Sequence, residues 1–398
     1  MARLRADATA IRDAFPDPWL RLYALKANGL PSLVANVAKA GGFSVSAVSR
    51  GEIDLALRAG LAPADIVLEG IGKTPADLDR AADLARRATP LAWVSLETTE
   101  DAFAMAAAAE GRSTTVDVLI RVNPQVAPET HSGLAVGHGE SKFGVTPDEL
   151  GSVIDAGGGP RGPLRWRGIH MHVGSQLEAI DAWRAGARIG LRLLRLQRAR
   201  LRNFDTINFG GGFPVAYESK EETVPAASHF AEAVNAELEA LPADARPARL
   251  VVEPGRAVVA GSGYLIAEVL HVRQRGAWSI IVLDAGMTEL IRPALYNALH
   301  PMSALTSLGT PVTSTLDGPN LASAYVRVDG PICESTDTFG SVALPPLERG
   351  DLVAIGMTGA YGSSMFSTYN GRPRPAEVVW DGTRIRVWRR RGSLHSLP

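Results

Sequence analysis

Gly168-Ile169-His170-Met171-His172-Val173-Gly174-Ser175-Gln176 reads as a strand that delivers its polar residues at its carboxyl end. A period of two puts both imidazoles on one face, and a Gly-Ser-Gln turn closes the run. Other short apolar runs in the first two-thirds of the chain repeat the theme: Leu22–Leu25, Phe43–Val45, Ile66–Leu68, Leu91–Val94, Val116–Val122, Thr206–Phe209 and Arg249–Glu253. Helical patterns lie between them, at Pro31–Ala40, Gly51–Ala59, Pro75–Ala88, Asp101–Ala109, Pro147–Ala156, Ala179–Arg200 and Ala226–Ala240. Eight strands alternating with helices, with chemistry at their carboxyl ends, predict an α/β protein built on a (β/α)8 TIM-like barrel. From about Ser262 the rhythm changes to strands separated by turns, at Leu265–Val272, Ser279–Leu283, Ala324–Val328, Leu352–Ile355, Glu377–Trp380 and Arg384–Trp388. The expected division is a barrel over 1–261 and a C-terminal, mostly β domain over 262–398.

Composition narrows the function. With 46% apolar residues, 21% charged residues and a net charge of −1, the chain is globular and shows no polyanion-binding balance, which argues against nucleic acid. No stretch is apolar enough to cross a bilayer, and the charged N-terminus (Arg3, Arg5, Asp7, Arg12, Asp13) is unlike a secretion signal. The single cysteine, Cys333, cannot close an intrachain disulfide and fits a cytoplasmic protein.

Five of the 41 basic residues are lysine: 26, 39, 73, 142 and 220. Lys26 closes the apolar run Leu22–Leu25, where an amine in a low-dielectric pocket would be a Schiff-base nucleophile; the alternative is a side chain snorkelling to solvent. His170 and His172 would make a metal site only with further ligands at other strand ends, and His131, His138, His229, His271, His300 and His395 lie elsewhere. The expectation is no metal, with one imidazole stacked on a flat cofactor. Asn208-Phe209-Gly210-Gly211-Gly212 is a strand ending in a phosphate-type glycine turn. Leu250–Arg256 delivers Glu253, a carboxylate that needs either Arg256 or an external cation such as a protonated pyridine. Gly70-Ile71-Gly72-Lys73-Thr74 imitates a P-loop, but Val67 stands where its first glycine belongs. In the β region, Cys333, Glu334 and Asp337 share one loop, and Arg292 and Tyr296, four apart, would share a helix face.

In order along the chain, Tyr23–Asn28 (YALKAN), His170–Gln176, Asn208–Phe213, Glu253–Arg256, Asp284–Met287, Arg292–Tyr296, Gly330–Ser335, Gly359–Met365 and Tyr369–Pro375 resemble the fold type III pyridoxal-phosphate decarboxylases. The diaminopimelate decarboxylase family is the nearest, kin to ornithine and arginine decarboxylases and, more distantly, to alanine racemase. The resemblance runs from about Tyr23 to Arg391 and implies an alanine-racemase-like two-domain fold. It implies that Lys26 carries pyridoxal 5'-phosphate, that His172 stacks on the ring, and that Ser175, Gly211, Gly212, Gly255 and Arg256 hold the phosphate. Glu253 would face the pyridinium nitrogen, Tyr361 would touch cofactor and substrate, and Cys333 would donate a proton to the product carbon. Arg292, Tyr296 and Arg256 would bind the substrate's carboxylates and Glu334 its distal amine, with the Cys333–Glu334 loop crossing into the other subunit of a homodimer. The implied reaction is decarboxylation of meso-diaminopimelate to L-lysine.

Two features depart from the family pattern. Only 25 residues precede Lys26, where relatives carry an earlier strand, and Ser46 stands where many have an aspartate. Ser46 leaves open a decarboxylase specialised for another amino acid or conjugate, as in siderophore or antibiotic synthesis. A racemase on the same scaffold would prefer an arginine to Glu253.

Overall fold

In the computed structural model eight short strands close on one another: Leu20–Ala24 (β1), Ser44–Ala47 (β2), Ile66–Leu68 (β3), Trp93–Leu96 (β4), Val116–Val122 (β5), Leu164–Met171 (β6), Thr206–Asn208 (β7) and Arg249–Val252 (β8). Every pairing is parallel, and Leu20 and Arg21 of β1 meet Val251 and Val252 of β8 to complete the barrel. The structure describes residues 1–126, 137, 141–217, 224–276, 278–312 and 325–394. Lys220, His131, His138, His395 and Ala324 lie outside them.

Helix Ala2–Ala14 (α1) precedes the barrel, and Leu4, Ala8 and Ile11 form its buried stripe. The connecting helices are Pro31–Gly41 (α2), Arg50–Arg58 (α3), Pro75–Arg86 (α4), Thr99–Glu110 (α5), Leu150–Ala156 (α6), Asp181–Gln197 (α7) and Ala227–Glu239 (α8), with a single turn, Arg256–Val259 (α9), after β8. Their starts are written locally. Pro31 and Pro75 occupy first-turn positions, where a missing N–H costs nothing, and the side chain of Thr98 accepts from the Asp101 amide at 3.0 Å to cap α5. Inside the barrel Leu22, Val67, Trp93, Leu119 and Val251 interlock as one apolar cluster. Outside it, Phe15, Trp19, Trp183, Phe209, Phe213 and Phe230 pack ring against ring, with centroids 5.1–6.4 Å apart.

The chain divides into two compact units. One holds Arg5–Pro214 and Val224–Val258; the other takes Met1–Leu4, the short segment that begins at Val215 and the chain from Val259 onward. The second unit is mostly β: Leu265–Arg275 (β9), Trp278–Leu283 (β10), Met302–Leu305 (β11), Tyr325–Asp329 (β12), Thr338–Ala343 (β13), Leu352–Ile355 (β14), Glu377–Trp380 (β15) and Ile385–Arg389 (β16), with the one-turn helix Arg292–Tyr296 (α10). Six strands make a sheet in the order β11-β14-β9-β10-β12-β13, and β15 and β16 pair separately. β11 and β13 escaped the sequence reading. Thr338-Phe339-Gly340 and Met302-Ser303 lack the β-branched run that marks a strand, so cross-strand pairing and not propensity makes them.

Candidate active site

In a parallel barrel all eight carboxyl ends lie at one face, so the residue following each strand lines one site. The sequence places Glu69 after β3, Glu97 after β4, Asn123 after β5, His172 after β6, the glycine run after β7 and Glu253 after β8.

Lys26 lies just beyond its strand. β1 stops at Ala24, and Leu25–Ala27 form a 3-10 turn on which Lys26 is exposed, not buried. The turn is tied down from within. The Tyr23 hydroxyl donates to the Asn28 carbonyl at 2.9 Å, and the Leu30 amide donates to the Asn28 side chain at 3.2 Å. The backbone therefore leaves the strand before Lys26, which stands on the turn beyond it.

At the centre, Asn208 of β7 is fully buried, and its side-chain amide donates to Glu253 and, at 3.4 Å, to Glu69. His170 of β6 sits between the carboxyls, with Nδ1 3.7 Å from Glu69 Oε1 and Nε2 3.6 Å from Glu253 Oε1. Burial first, then the charges of Arg121, His172, Lys26 and Lys73, pushes the pKa of His170 well below the usual imidazole value. Burial, followed by Lys26 and Arg121, does the same to His172.

The glycine run is built for close approach. A Cβ on Gly211 would lie 2.2 Å from the Glu253 carbonyl oxygen, and Gly212 has φ +105°. The Gly210 amide donates to the Asn208 side chain at 2.9 Å and the Gly211 amide to His172 Nδ1 at 3.3 Å. Gly211 thus orients the imidazole, and the phosphate reading rests on Gly212, Ser175 and Arg256. Arg256, buried at the start of α9, donates through Nη2 to Ser175 Oγ at 3.3 Å. An amine, a neutral imidazole, a recessed carboxylate and a serine–arginine–glycine cradle at one barrel end fit pyridoxal phosphate.

Around this set runs a buried network that motif reading missed. Arg121 of β5 donates to Glu97 Oε1 at 3.1 Å, and the Gly144 amide to Glu97 Oε2 at 3.2 Å. Asp101 accepts from the Glu97 amide at 3.1 Å and pairs with Lys73 Nζ at 2.8 Å. The lysine of the P-loop look-alike is therefore a structural cation whose side chain is fully buried. Lys73→Met should strand Asp101 as a buried charge and cost about 3–5 kcal/mol in urea unfolding. Adding Asp101→Leu should recover most of that loss; equal stability of Lys73→Met and the parent chain would overturn the assignment.

In the β unit, α10 makes Arg292 and Tyr296 helical neighbours. Arg292 Nη1 lies 2.9 Å from His300 Nε2, while His300 Nδ1 lies 2.9 Å from the Gly356 carbonyl. The carbonyl can only accept, so Nδ1 carries the proton and Nε2 accepts from Arg292. The guanidinium also lies 4.5 Å from the Tyr217 ring centroid. Cys333 and Glu334 are exposed; Asn370 donates to Cys333 Sγ at 3.4 Å and the Tyr369 hydroxyl to Glu334 at 2.7 Å. Asp337 anchors their loop by accepting from the Met287 and Ile332 amides at 2.6 and 2.7 Å. Tyr361 sits at φ +59°, a conformation that non-glycine residues seldom adopt.

Barrel, strand-end chemistry and β unit together define a pyridoxal-phosphate enzyme of the barrel class. The family profile described as "Pyridoxal-dependent decarboxylase, pyridoxal binding domain" matches residues 1–260, and the chain belongs to this family of carbon–carbon lyases. It is 35% identical over 380 residues to the diaminopimelate decarboxylase of Helicobacter pylori strain J99, covering 94% of this chain and 87% of that protein. It is 30% identical to the diaminopimelate decarboxylase of Zymomonas mobilis, over 99% and 88% of the two chains. The crystal structure of diaminopimelate decarboxylase from Helicobacter pylori complexed with L-lysine superposes with a TM-score of 0.87 at 30% identity, covering 99% of this chain and 93% of that one. No helix among the described residues is long and apolar enough to cross a membrane.

Proposed function

We propose that this decarboxylase acts on meso-diaminopimelate, releasing CO2 and L-lysine, as a cytoplasmic homodimer in lysine biosynthesis. The observation that carries the substrate reading is the fixed guanidinium of Arg292, gripped by His300 and laid against Tyr217, one helical turn from the Tyr296 hydroxyl. A planar donor held this firmly suits a carboxylate at the far end of the substrate. The similarity to diaminopimelate decarboxylases over nearly the whole chain supports the same reading.

Bound pyridoxal phosphate supplies an electron sink for the pair left on the amino acid's Cα as CO2 departs. Lys26 Nζ, on the turn after β1, would be the amine that holds the cofactor. His172, whose pKa is held low by burial and which the Gly211 amide orients, would pack against the cofactor. Glu253, steadied by the Asn208 amide, would accept from the cofactor's ring nitrogen. Gly212, Ser175, Gly255 and Arg256 hold the phosphate, and Arg256 also meets the substrate's reacting carboxylate. Tyr361 contacts cofactor and substrate. The Cys333 thiol of a second copy delivers the proton to Cα, and Glu334 of that copy accepts from the substrate's distal amine. The exposure of Cys333 and Glu334, and of Tyr264, Ile266, Trp278 and Tyr325 on the β unit, supports coverage by a second copy.

The test is CO2 release from meso-diaminopimelate, lysine and ornithine by purified protein loaded with pyridoxal phosphate. Arg292→Ala should raise KM for meso-diaminopimelate by at least about 2 kcal/mol, on the order of 30-fold, and change little for lysine or ornithine, which lack the distal carboxylate. A parent enzyme that prefers ornithine or lysine overturns the substrate assignment.

A further inference from the structure

We propose that Glu69, a residue outside every recognised motif of the chain, is a positioning residue: it holds the one proton of a Glu69–Glu253 carboxyl pair and donates it to Glu253, fixing that carboxylate toward the cofactor's ring nitrogen. The inference deepens the reading given above and rests on Glu253 as the ring-nitrogen partner.

The geometry leaves little choice. Glu69 is 4% exposed, His170 1% and Asn208 not at all. One acceptor atom from each of Glu69, His170 and Glu253 lies within 4.8 Å of the others, and the Asn208 amide reaches both carboxyls. Neither nitrogen of His170 has a hydrogen-bond partner among the described residues, and both stand more than 3.5 Å from the carboxyl oxygens. The imidazole therefore supplies neither carboxyl with a hydrogen bond. Two carboxylates in a dry site repel, and the cheapest relief is one shared proton. Burial comes first and the Glu253 charge second in raising Glu69 well above the usual carboxylate range, against the pull of Arg121 and Lys26. His170 stays neutral beside them for the reasons of burial and neighbouring cations already given. The pair then presents one negative charge to one pyridinium.

The test separates a proton donor from a carboxylate. Full-length apo-protein is titrated with pyridoxal phosphate in three forms. Glu69→Gln keeps a neutral donor and should bind within about threefold of the parent. Glu69→Leu keeps the bulk but no donor and should bind at least about tenfold more weakly, the loss of a hydrogen bond to a charged group. Infrared spectra of parent protein labelled with 13C-glutamate should show a carboxylic-acid band at neutral pH that Glu69→Gln removes. Binding by Glu69→Leu equal to the parent overturns the proposal, as does Glu69→Gln binding as weakly as Glu69→Leu. Absence of the acid band from the parent overturns it even if the variants fail to fold. A divalent cation retained one per chain would mean that a metal and not a proton neutralises the cluster, and also overturns it. If Glu253→Gln leaves the cofactor's absorption unchanged while the acid band persists, the ring-nitrogen reading has failed and the orienting role falls with it.

Discussion

Lys26→Ala protein, loaded with pyridoxal phosphate and reduced with borohydride, is expected to retain no covalently fixed cofactor. Its decarboxylation rate should fall on the order of 10²–10⁴-fold or more, because the side chain proposed to hold the cofactor is gone. Among the described residues the other lysines are poor substitutes. Lys73 is fully buried against Asp101, Lys39 lies within α2, and exposed Lys142 sits 5.3 Å from the Phe143 ring centroid. Lys26 instead stands exposed on the turn after β1, at the carboxyl-end face of the barrel. Peptide mapping of the reduced parent should find the cofactor on Lys26. A label on Lys39, Lys73, Lys142 or Lys220 would remove Lys26 from the mechanism.

Glu253→Gln is expected to leave the cofactor bound and to lower turnover on the order of 10²-fold or more, since a neutral amide no longer stabilises a protonated ring nitrogen as charge develops. Binding should survive because Lys26, the Gly212 turn and Arg256 are untouched. The absorption spectrum is the sharper readout, since it reports the ring's protonation directly. Near-normal turnover would reduce Glu253 to a structural partner of Asn208.

The alternation of apolar runs and amphipathic stretches was enough to read the barrel, because both periods are local properties of the chain and the strand-end positions follow from them. β3 and β5 begin and end at the predicted residues, and α4 and α8 within two residues of prediction. Motif order placed Lys26, His172, the glycine turn and Glu253 near strand ends, and in the structure they follow β1, β6, β7 and β8 by one or two residues. Local order could not tell what surrounds a strand end. Glu69 follows β3 in an unremarkable Leu-Glu-Gly, and only barrel closure brings it against Glu253, 184 positions later, with Asn208 joining the two.

The same limit explains Lys73 and Arg292. Lys73 sits in a stretch that imitates a nucleotide-binding loop, and its role was decided by Asp101 on the next helix of the barrel. Arg292 and Tyr296 were legible as a pair if helical; that the guanidinium is oriented by His300 and the Tyr217 ring was not, since neither contact has a sequence period. For Lys26 the sequence left a buried and an exposed setting open; the hydrogen bonds from Tyr23 to Asn28 and from Leu30 to the Asn28 side chain shape the turn on which it stands exposed, a contact pattern no period announces. Chain-local periodicity and motif order determined the barrel, the cofactor and the chemistry. Long-range packing decided which carboxyls lie against one another, which lysine pairs with a buried aspartate and which guanidinium is held, because burial and charge pairing depend on neighbours brought together only by the fold.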